Sequence, residues 1–576
     1  MLLEEKWDVV QLQFLPKHTA FFNSPRPQHL TITRQTWTNI SSGIGIISGS
    51  TDKIELAVHH VGATTAVFAA VVNSSSLAGV FRSLNGASFT SLDVPSGGGQ
   101  GNVHLAIGAE PSNSNIVYLG GSSGSQFLAR IDASLSSGSQ ITPLVGGSFN
   151  SPHVDVRELF VDANGNLITG TDGGLFRLPT PTINTGSWSS ILGDISIFEL
   201  HSIAYDSVSS VIMAGAQDNG TLFQLSSDNL TWDHPGFGDG GDVVIDDVSL
   251  AGVGQSIRYR SSQNLGGWTR QVYNSSNTLL STIGLASIGD GQFTTPVELN
   301  RVNPNRLIVG GSSNLYETLN QGTSLTSIGS FSVNGAVFGG GGGTMVYGGY
   351  LGSVPNADLI YVASGSNVRR QTSSGGGFTI TSPGGGSIVG VAIDPNNWMS
   401  VFAIDSNQVF MSTNSGGTWS DVTANLTSIS AADLRSVEYV PGMSDAALVV
   451  GTSSGVFFSH VSALGGPTSW SRVGNNLPDA IVYDLEYDSV ANLIVAGTMG
   501  RGAWTISNAT FQLGLVDPIS LTAIEPLGSL AYEGSINNTI NTVGEIDTFT
   551  IDMDAGLQIS LVVDPASTLR PQGIRS

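Results

Sequence analysis

Cysteine is absent from the 576 residues, which excludes disulfides, thiol nucleophiles and thiolate metal sites together. Charge is scarce as well: Asp, Glu, Lys and Arg make up 11% of the chain, against roughly 25% in an ordinary globular protein. What charge there is has mostly one sign. The 44 acids and 21 bases leave a formal net charge of −23, and no basic cluster interrupts it. A phosphate backbone is therefore repelled, and nucleic acid is excluded as an expected partner. Long apolar runs are missing too. The longest, AVFAAVV at 66–72, has the length of a strand and falls far short of the ~18 residues of a membrane span. The opening MLLEEKWDVVQLQFLPKH has neither the basic start nor the continuous apolar segment of a secretory signal. Residues 1–33 and the closing RPQGIRS match no neighbouring pattern, and the chain reads as lacking native sequence at both ends.

Glycine, in contrast, is abundant at 74 residues, and hydrophobic residues reach 40%. That combination suits many short strands joined by tight turns. The strands recur in one order: an apolar strand, a turn, a second apolar strand, a Gly-rich turn and a third strand. Clear copies are DVRELFVDANGNLITGTDGGLFRL from Asp155, ELHSIAYDSVSSVIMAGAQDNGTLFQL from Glu199, VELNRVNPNRLIVGGSSNLYETL from Val297, SIVGVAIDPNNWMSVFAIDSNQVF from Ser387, DLRSVEYVPGMSDAALVVGTSSGVFFS from Asp433 and IVYDLEYDSVANLIVAGTMGRGAWTIS from Ile481. Looser copies start near Ile54, Val103, Asp242 and Gly335. Ten units spaced by about 47 residues on average are the signature of propeller blades. One such sheet cannot bury both of its faces, whereas a closed ring of them does. The expected fold is thus all-β: a large propeller over residues 34–507, read as ten-bladed, with two smaller propellers as the alternative. RQTWTNI at 34–40 is the expected fourth strand of the last, three-stranded unit.

The turn FMSTNSGGTW at 410–419 explains its own composition. Asn414 can bond turn amides, Gly416 and Gly417 accept positive φ, and Trp419 returns as a buried anchor between blades. SLNGASF at 83–89, TLNQGTSL at 318–325 and SSDNLTW at 226–232 are degenerate versions. The pattern resembles the Asp-box repeat, Ser-x-Asp-x-Gly-x-Thr-Trp, with Asn414 in place of the Asp. Together with GTDGGLF at 170–176, GAQDNGT at 215–221 and GTMGRGAW at 497–504, it is similar to the Asp-box propellers that include sortilin-type receptor domains and tandem-propeller xyloglucan-cleaving hydrolases. The Arg-Ile-Pro motif of sialidases is absent. After a linker at 508–523, IEPLGSLAYEGSINNTINTVGEIDTFTIDMDAGLQISLVVDP from Ile524 alternates polar and apolar residues as half-buried strands do. It is similar to the start of the bacterial pre-peptidase C-terminal domain. The roughly 50 residues left are half of the ~100 that a complete β-sandwich takes, so a truncated sandwich is expected over 524–576.

In a propeller, the first strand of each blade lines the channel. Aligned on apolar-x-polar-apolar-x-apolar-Asp, VRELFVD, LHSIAYD, LRSVEYV and VYDLEYD make Arg157, His201, Arg435 and Tyr483 equivalent, with Asp155, Glu199 and Asp433 two residues earlier. Asp239 takes the earlier position in GDGGDVVID. The leading reading is a hydrolase of a polymer, with a glycan first. Asp155 and Asp239 serve as general acid and base, Glu199 is the spare carboxylate, and Arg157, His201, Arg435, Tyr483 and Asp433 bind substrate. The alternative is a glycan- or peptide-binding propeller without catalysis, its surface aromatics drawn from Trp188, Trp232, Trp268, Trp398 and Trp470. A third reading is a metal-dependent ester or phosphoester hydrolase. No cofactor is required by the leading reading, but His153 with Asp155 on one strand, and His201, form a candidate set for a transition metal, and Ca is a further candidate. The bland reading makes Asp155 with Arg157, and Asp433 with Arg435, simple ion pairs. Low charge, no Cys and the C-terminal resemblance point to an extracellular or cell-surface bacterial protein; a monomer is expected.

Overall fold

Alternating β-branched and aromatic residues, punctuated by Gly-rich turns, produce an almost wholly antiparallel β structure. The computed structural model describes residues 44–515 except 87, 148–149, 235–237, 336–342, 431–432, 443–444 and 462–465. Beyond them it describes only the short strand pairs Asp517–Pro518 with Phe549–Thr550 and Thr522–Ala523 with Tyr532–Glu533. The expected closing strand at 34–40 and nearly all of the expected sandwich lie outside the described residues.

Among the described residues ten small meanders follow one another, each opening on its first strand, and the seventh and eighth join into one eight-stranded sheet. Those first strands are β1 (Thr51–Val61), β2 (Ala106–Ala109), β3 (Val156–Val161), β4 (Leu200–Asp206), β5 (Val244–Asp246), β6 (Val297–Leu299), β7 (Met345–Leu351), β8 (Gly390–Asp394), β9 (Leu434–Pro441) and β10 (Val482–Asp488). Each of the sheets is a meander that runs outward from this strand. The seventh and eighth also touch through Leu351 and Asn397. The chain divides into two compact units, residues 1–197 and 198–576.

In the first unit β1, β2 and β3 lie side by side in order. Phe68, Val72, Leu119 and Ile131 fill the space between the first two sheets, and Tyr118, Leu128, Leu144 and Trp188 that between the second and third. In the second unit β4 to β10 succeed one another and β10 packs against β4, so seven sheets close a ring among themselves. This is the propeller the repeats predict, but with a smaller ring: β10 meets β4, so the ten units do not form one circle. The smaller propeller weighed as the alternative is what the second unit realises.

The ring is sealed in two ways. Apolar layers fill the gaps between sheets; Phe402, Leu448, Val450 and Trp470 form one, each fully buried side chain worth ~1.5–3 kcal/mol. Hydrogen bonds from the polar slot of the repeat then tie some of the inner strands to their neighbours. Ser202 on β4 donates to Asp242 Oδ1 at 2.6 Å, and Asp242 Oδ2 accepts from the Val297 amide of β6 at 2.8 Å. Ser436 on β9 donates to the Val482 carbonyl of β10 at 3.2 Å. Closure comes from Asp484 on β10, whose Oδ2 accepts from the Ile203 amide of β4 at 2.8 Å.

The turn bonds are as the sequence predicts, but the positive φ expected at both Gly416 and Gly417 occurs at Gly416 and at Ser415, not at Gly417. Ser412 Oγ accepts from the Gly416 amide at 2.8 Å and Asn414 Oδ1 from the Thr418 amide at 2.8 Å, while Gly416 adopts φ 82°. Thr318 and Asn320 make the same two bonds with Gly322 and Ser324. Trp188, Trp268 and Trp470 are buried, and Trp232 and Trp398 pack partly buried against core clusters. These five therefore act as anchors between sheets.

Candidate functional site

The aligned positions share a backbone device. Arg157, His201, Arg435 and Tyr483 are each skipped by the pairing of their strand: Val156 and Glu158, Leu200 and Ser202, Leu434 and Ser436, and Val482 and Asp484 face consecutive residues of the neighbouring strand. Each is the extra residue of a β-bulge, which bends the strand start and re-aims one side chain. The equivalence read from the sequence thus has a physical basis.

In the first unit the bulge carries a compact charged cluster. Asp155, just before β3, sits in the left-handed region at φ 63°, an uncommon conformation for a residue other than Gly. It is held there by bonds from its own amide to the Ser122 carbonyl and from the Val156 amide to the Gly121 carbonyl, both 3.1 Å. Asp172, in the turn before the strand Gly174–Leu178, is gripped by Arg157, whose Nε and Nη2 donate to its two oxygens at 2.6 and 2.9 Å. Arg157 therefore pairs with Asp172, correcting the expected Asp155–Arg157 ion pair. Between the two acids lies His104, only 7% exposed. Its Nε2 is 3.6 Å from Asp155 Oδ1 and its Nδ1 is 3.9 Å from Asp172 Oδ2. An oxygen of Asp155 and one of Asp172 lie within 4.8 Å of each other. Burial, reinforced by the Asp172 charge, raises the Asp155 carboxyl above the usual range, with His104, His153 and Arg157 opposing. Burial lowers His104. His153 turns Nδ1 to the Val154 carbonyl at 3.1 Å and rests its ring against Gly173.

In the second unit two groups form. His201 is 3% exposed, and burial drives its pKa down to about 4 against the pull of Asp239. Its ring faces Phe293 at 6.1 Å and its Nε2 has no hydrogen-bond partner. Asp239 Oδ1 accepts from the Gln217 side chain and, at 2.9 Å, from the Asp218 amide. The Gly238–Asp239 segment pairs in parallel with Asn219 and Gly220. Further round the ring, Arg435 pairs with Asp433 at 2.8 Å, as expected, and stands 5.9 Å from the Tyr483 ring. Burial raises Tyr483, with Glu199 and Asp433 adding to the rise and Arg435 opposing it, and its hydroxyl reaches Met499 Sδ at 3.3 Å. Glu199 bridges to Met499 through its backbone.

The structure thus brings Glu199, Asp433, Arg435 and Tyr483 together, places His201 within electrostatic reach of Asp239 without a hydrogen bond between them, and places Asp155, Arg157 and His153 in the first unit. β4 lies between β5 and β10 in its ring, so the expected run of site residues over the third, fourth and fifth blades is divided at residue 198. Of the expected metal ligands, His153 and Asp155 lie in the first unit and His201 in the second. Sequence reasoning missed His104, Asp172, Gln217 and Phe293. Asp172 and Gln217 were visible only as parts of the turns TDGG and AQDNG. His104 sits in the loose copy from Val103, where no aligned position singles it out.

Neither a protein-family model nor a curated protein sequence matches the chain. Solved structures do. A GH74 enzyme of Niastella koreensis matches with a TM-score of 0.50 at 15% identity, over 77% of this chain and 65% of that one. An ancestral GH74 enzyme matches with 0.52 at 13%, over 79% and 72%. The extracellular domain of a one-component system from B. thetaiotaomicron matches with 0.37 at 12%, over 83% and 67%. The two GH74 likenesses show the all-β propeller fold. The chain spans about two thirds of the Niastella enzyme's length. Among the described residues no helix is long and apolar enough to cross a membrane.

Proposed function

We propose that the protein is an extracellular glycoside hydrolase acting on a polysaccharide, its repeats being Asp-box blades. The observation that carries this reading is Asp155. Its side chain is 15% exposed, so a substrate can reach it, yet burial and the neighbouring Asp172 raise its proton affinity, and it is held in a strained backbone conformation at a bulge. A carboxyl group whose proton affinity is raised is suited to protonating a glycosidic oxygen. The likeness to GH74 enzymes supports the fold on which such a site sits. Asp172 is a poor catalytic base because both of its oxygens accept from Arg157. In the second unit Asp239 and Glu199 are separate candidate carboxylates, each considered within that unit alone. Within the second unit, Arg435 and Asp433 stay partly accessible and Tyr483 is buried beside them, and these three are the candidates for substrate contact there. His201, buried in the second unit, is assigned to packing against Phe293 there.

The test is turnover on a panel of soluble polysaccharides, with the parent chain beside Asp155→Asn, Asp239→Asn and Glu199→Gln. The reading predicts release of new reducing ends by the parent and a loss of about 10² or more in kcat for Asp155→Asn with polysaccharide binding retained. Tight binding with no cleavage by the parent makes the protein a binding propeller instead.

A further inference from the structure

The repeat keeps a glycine on its second strand, opposite the slot that carries Ser202, Ser436 and Asp484. Gly120, Gly215, Gly451 and Gly497 pair there with Ala106, Ser202, Ser436 and Asp484. A Cβ on any of the four would touch the following sheet: Val156 of β3, the Gly241 carbonyl ahead of β5, Val482 of β10 and Ile203 of β4, respectively. Gly170 holds the same position in the third sheet, opposite Glu158. A Cβ on Gly170 meets only Leu175 at 3.6 Å and Glu158 at 3.8 Å, both of its own sheet. The slot shows the same contrast. Asp242 and Asp484 each accept from their own next amide on one oxygen and from an amide of a neighbouring inner strand on the other. Glu158 accepts from its own next amide, Leu159, at 3.2 Å, and from no second inner strand among the described residues.

The face around Gly170 is exposed accordingly. Phe160, Ile168 and Arg177 form one cross-strand row, and Glu158, Gly170 and Leu175 form the next. Phe160 is 50% and Leu175 37% exposed, and Glu158 and Arg177 are exposed with them. The matching row of the fourth sheet, Ala204, Met213 and Phe223, is buried against Val243, just before β5, and Tyr273 of the fifth sheet. At the other end of the first unit the outer face is closed, because Ile44 and Ile46 pack on Ala69, Val71 and Phe81 of the first sheet. One flank of this short array is capped and the other is not. An apolar flank that the repeat builds to be covered marks a partner surface.

We propose that a second copy of this chain docks on this face, third sheet against third sheet, across a two-fold axis. The face is self-complementary in charge. Glu158 on β3 and Arg177 on the strand Gly174–Leu178 stand at opposite corners of the two rows, and Phe160 and Leu175 take the other two corners. A two-fold axis along the Phe160–Leu175 diagonal sets each Glu158 against Arg177 of the partner subunit and packs the two apolar side chains against their own mates. A two-fold contact uses one patch twice, so a patch with one charge of each sign suits it. The pairing departs from the monomer expected from the sequence, and it does not depend on the glycosidase reading.

Sedimentation velocity of the full chain over micromolar to millimolar concentrations, at a physiological ionic strength of about 0.15 M, tests it. A reversible monomer–dimer equilibrium is expected. Glu158→Arg alone and Arg177→Glu alone each set like charges against one another and are expected to weaken self-association about 100-fold or more. Mixed together, these two single variants are expected to form a mixed dimer, because each chain then brings the charge that the other needs at both corners. Phe160→Ser is expected to weaken the dimer without any change of charge. The substituted side chains are exposed, so each variant is expected to melt as the parent does. A parent that stays monomeric over the whole range overturns the proposal and leaves the face to a sheet of another protein. A dimer that survives both charge reversals, or single variants that fail to pair when mixed, overturns it as well. If a charge variant fails to fold, the parent against Phe160→Ser decides, and equal self-association by the two overturns the proposal.

Discussion

Asp484 Oδ2 accepts a hydrogen bond from the Ile203 amide at 2.8 Å, and its Oδ1 accepts from the Leu485 amide at 2.9 Å. Ile203 and Asp484 are 281 residues apart in the chain, so this one carboxyl joins the last sheet of the ring to the first. Burial raises its pKa well above the ordinary value, and nearby Asp242 adds to the rise. The group works as an acceptor through both of its oxygens inside the seal.

Replacing it tests the closure. Asp484→Ala strips the acceptor from a buried amide and is expected to destabilise the second unit by ~1–3 kcal/mol, a fall of several degrees in Tm. Asp484→Asn keeps an acceptor oxygen at the same place and is expected to fall much less. Thermal melting of the two variants checks this, and equal losses would remove the Ile203 bond from the account of closure.

The inner strands also make stability depend on pH. Burial pushes Glu298 up to about 8 and Glu438 to about 7, with Arg301 opposing in both, and raises Glu486 well above its ordinary value. Arg301 lies 3.9 Å from Glu298 and is the cation that bears on both Glu298 and Glu438. An acid whose folded pKa is raised binds its proton more tightly when folded. Its stabilisation is complete below the unfolded value of about 4.5 and is lost as pH rises through the folded value, by up to about 1.4 kcal/mol per pH unit and group. The Tm is expected to drop from pH 5 to pH 8.5, and the slope to flatten in Glu298→Gln and Glu438→Gln. A Tm that rises over that range would show that these carboxyls are ionised in the folded ring.

Arg258 and Asp206 form a wholly buried ion pair, both side chains 0% exposed, with Nη2 to Oδ2 at 2.7 Å. The guanidinium also lies 3.9 Å from the centre of the Tyr273 ring. Removing one partner leaves a buried charge alone, which costs about 3–5 kcal/mol, whereas removing both with apolar groups of similar size is often tolerated. Arg258→Met alone is expected to melt far lower than the Arg258→Met, Asp206→Leu double variant. Chemical denaturation of the pair checks it.

How much of this was legible beforehand differs by level. Sheet after sheet was visible because strand alternation and Gly-rich turns are local, and the turn around Asn414 closes with the bonds its side chains dictate. The positions Arg157, His201, Arg435 and Tyr483 were aligned correctly because a bulge keeps its place in the repeat. Ring size was not legible: it depends on which two sheets meet, and that is decided by contacts such as Asp484 with Ile203, far apart in sequence. The polar slot of the repeat was seen as a pattern without its meaning, the latch between inner strands. His104 was invisible because its partners, Asp155 and Asp172, come from other turns, and only folding puts one imidazole between them.

The loop carrying Asp239 is held by backbone contact that leaves no room for a side chain. A Cβ on Gly215 would stand 1.9 Å from the Gly241 carbonyl oxygen, and the neighbouring Gly240 amide donates to the Ala216 carbonyl at 2.8 Å. Gly215→Ala must therefore push the Gly238–Gly241 segment outward and pull Asp239 from the Gln217 side chain and the Asp218 amide. Overpacking of this kind costs about 1–3 kcal/mol. Gly252→Ala is the matched control, since a Cβ there meets nothing within 4 Å. Gly215→Ala is expected to lower Tm by several degrees and to speed amide hydrogen exchange at Asp218, while Gly252→Ala leaves both nearly unchanged. Unaltered exchange at Asp218 in Gly215→Ala would mean that Asp239 is held by its own side-chain bonds, independently of the glycine contact behind it.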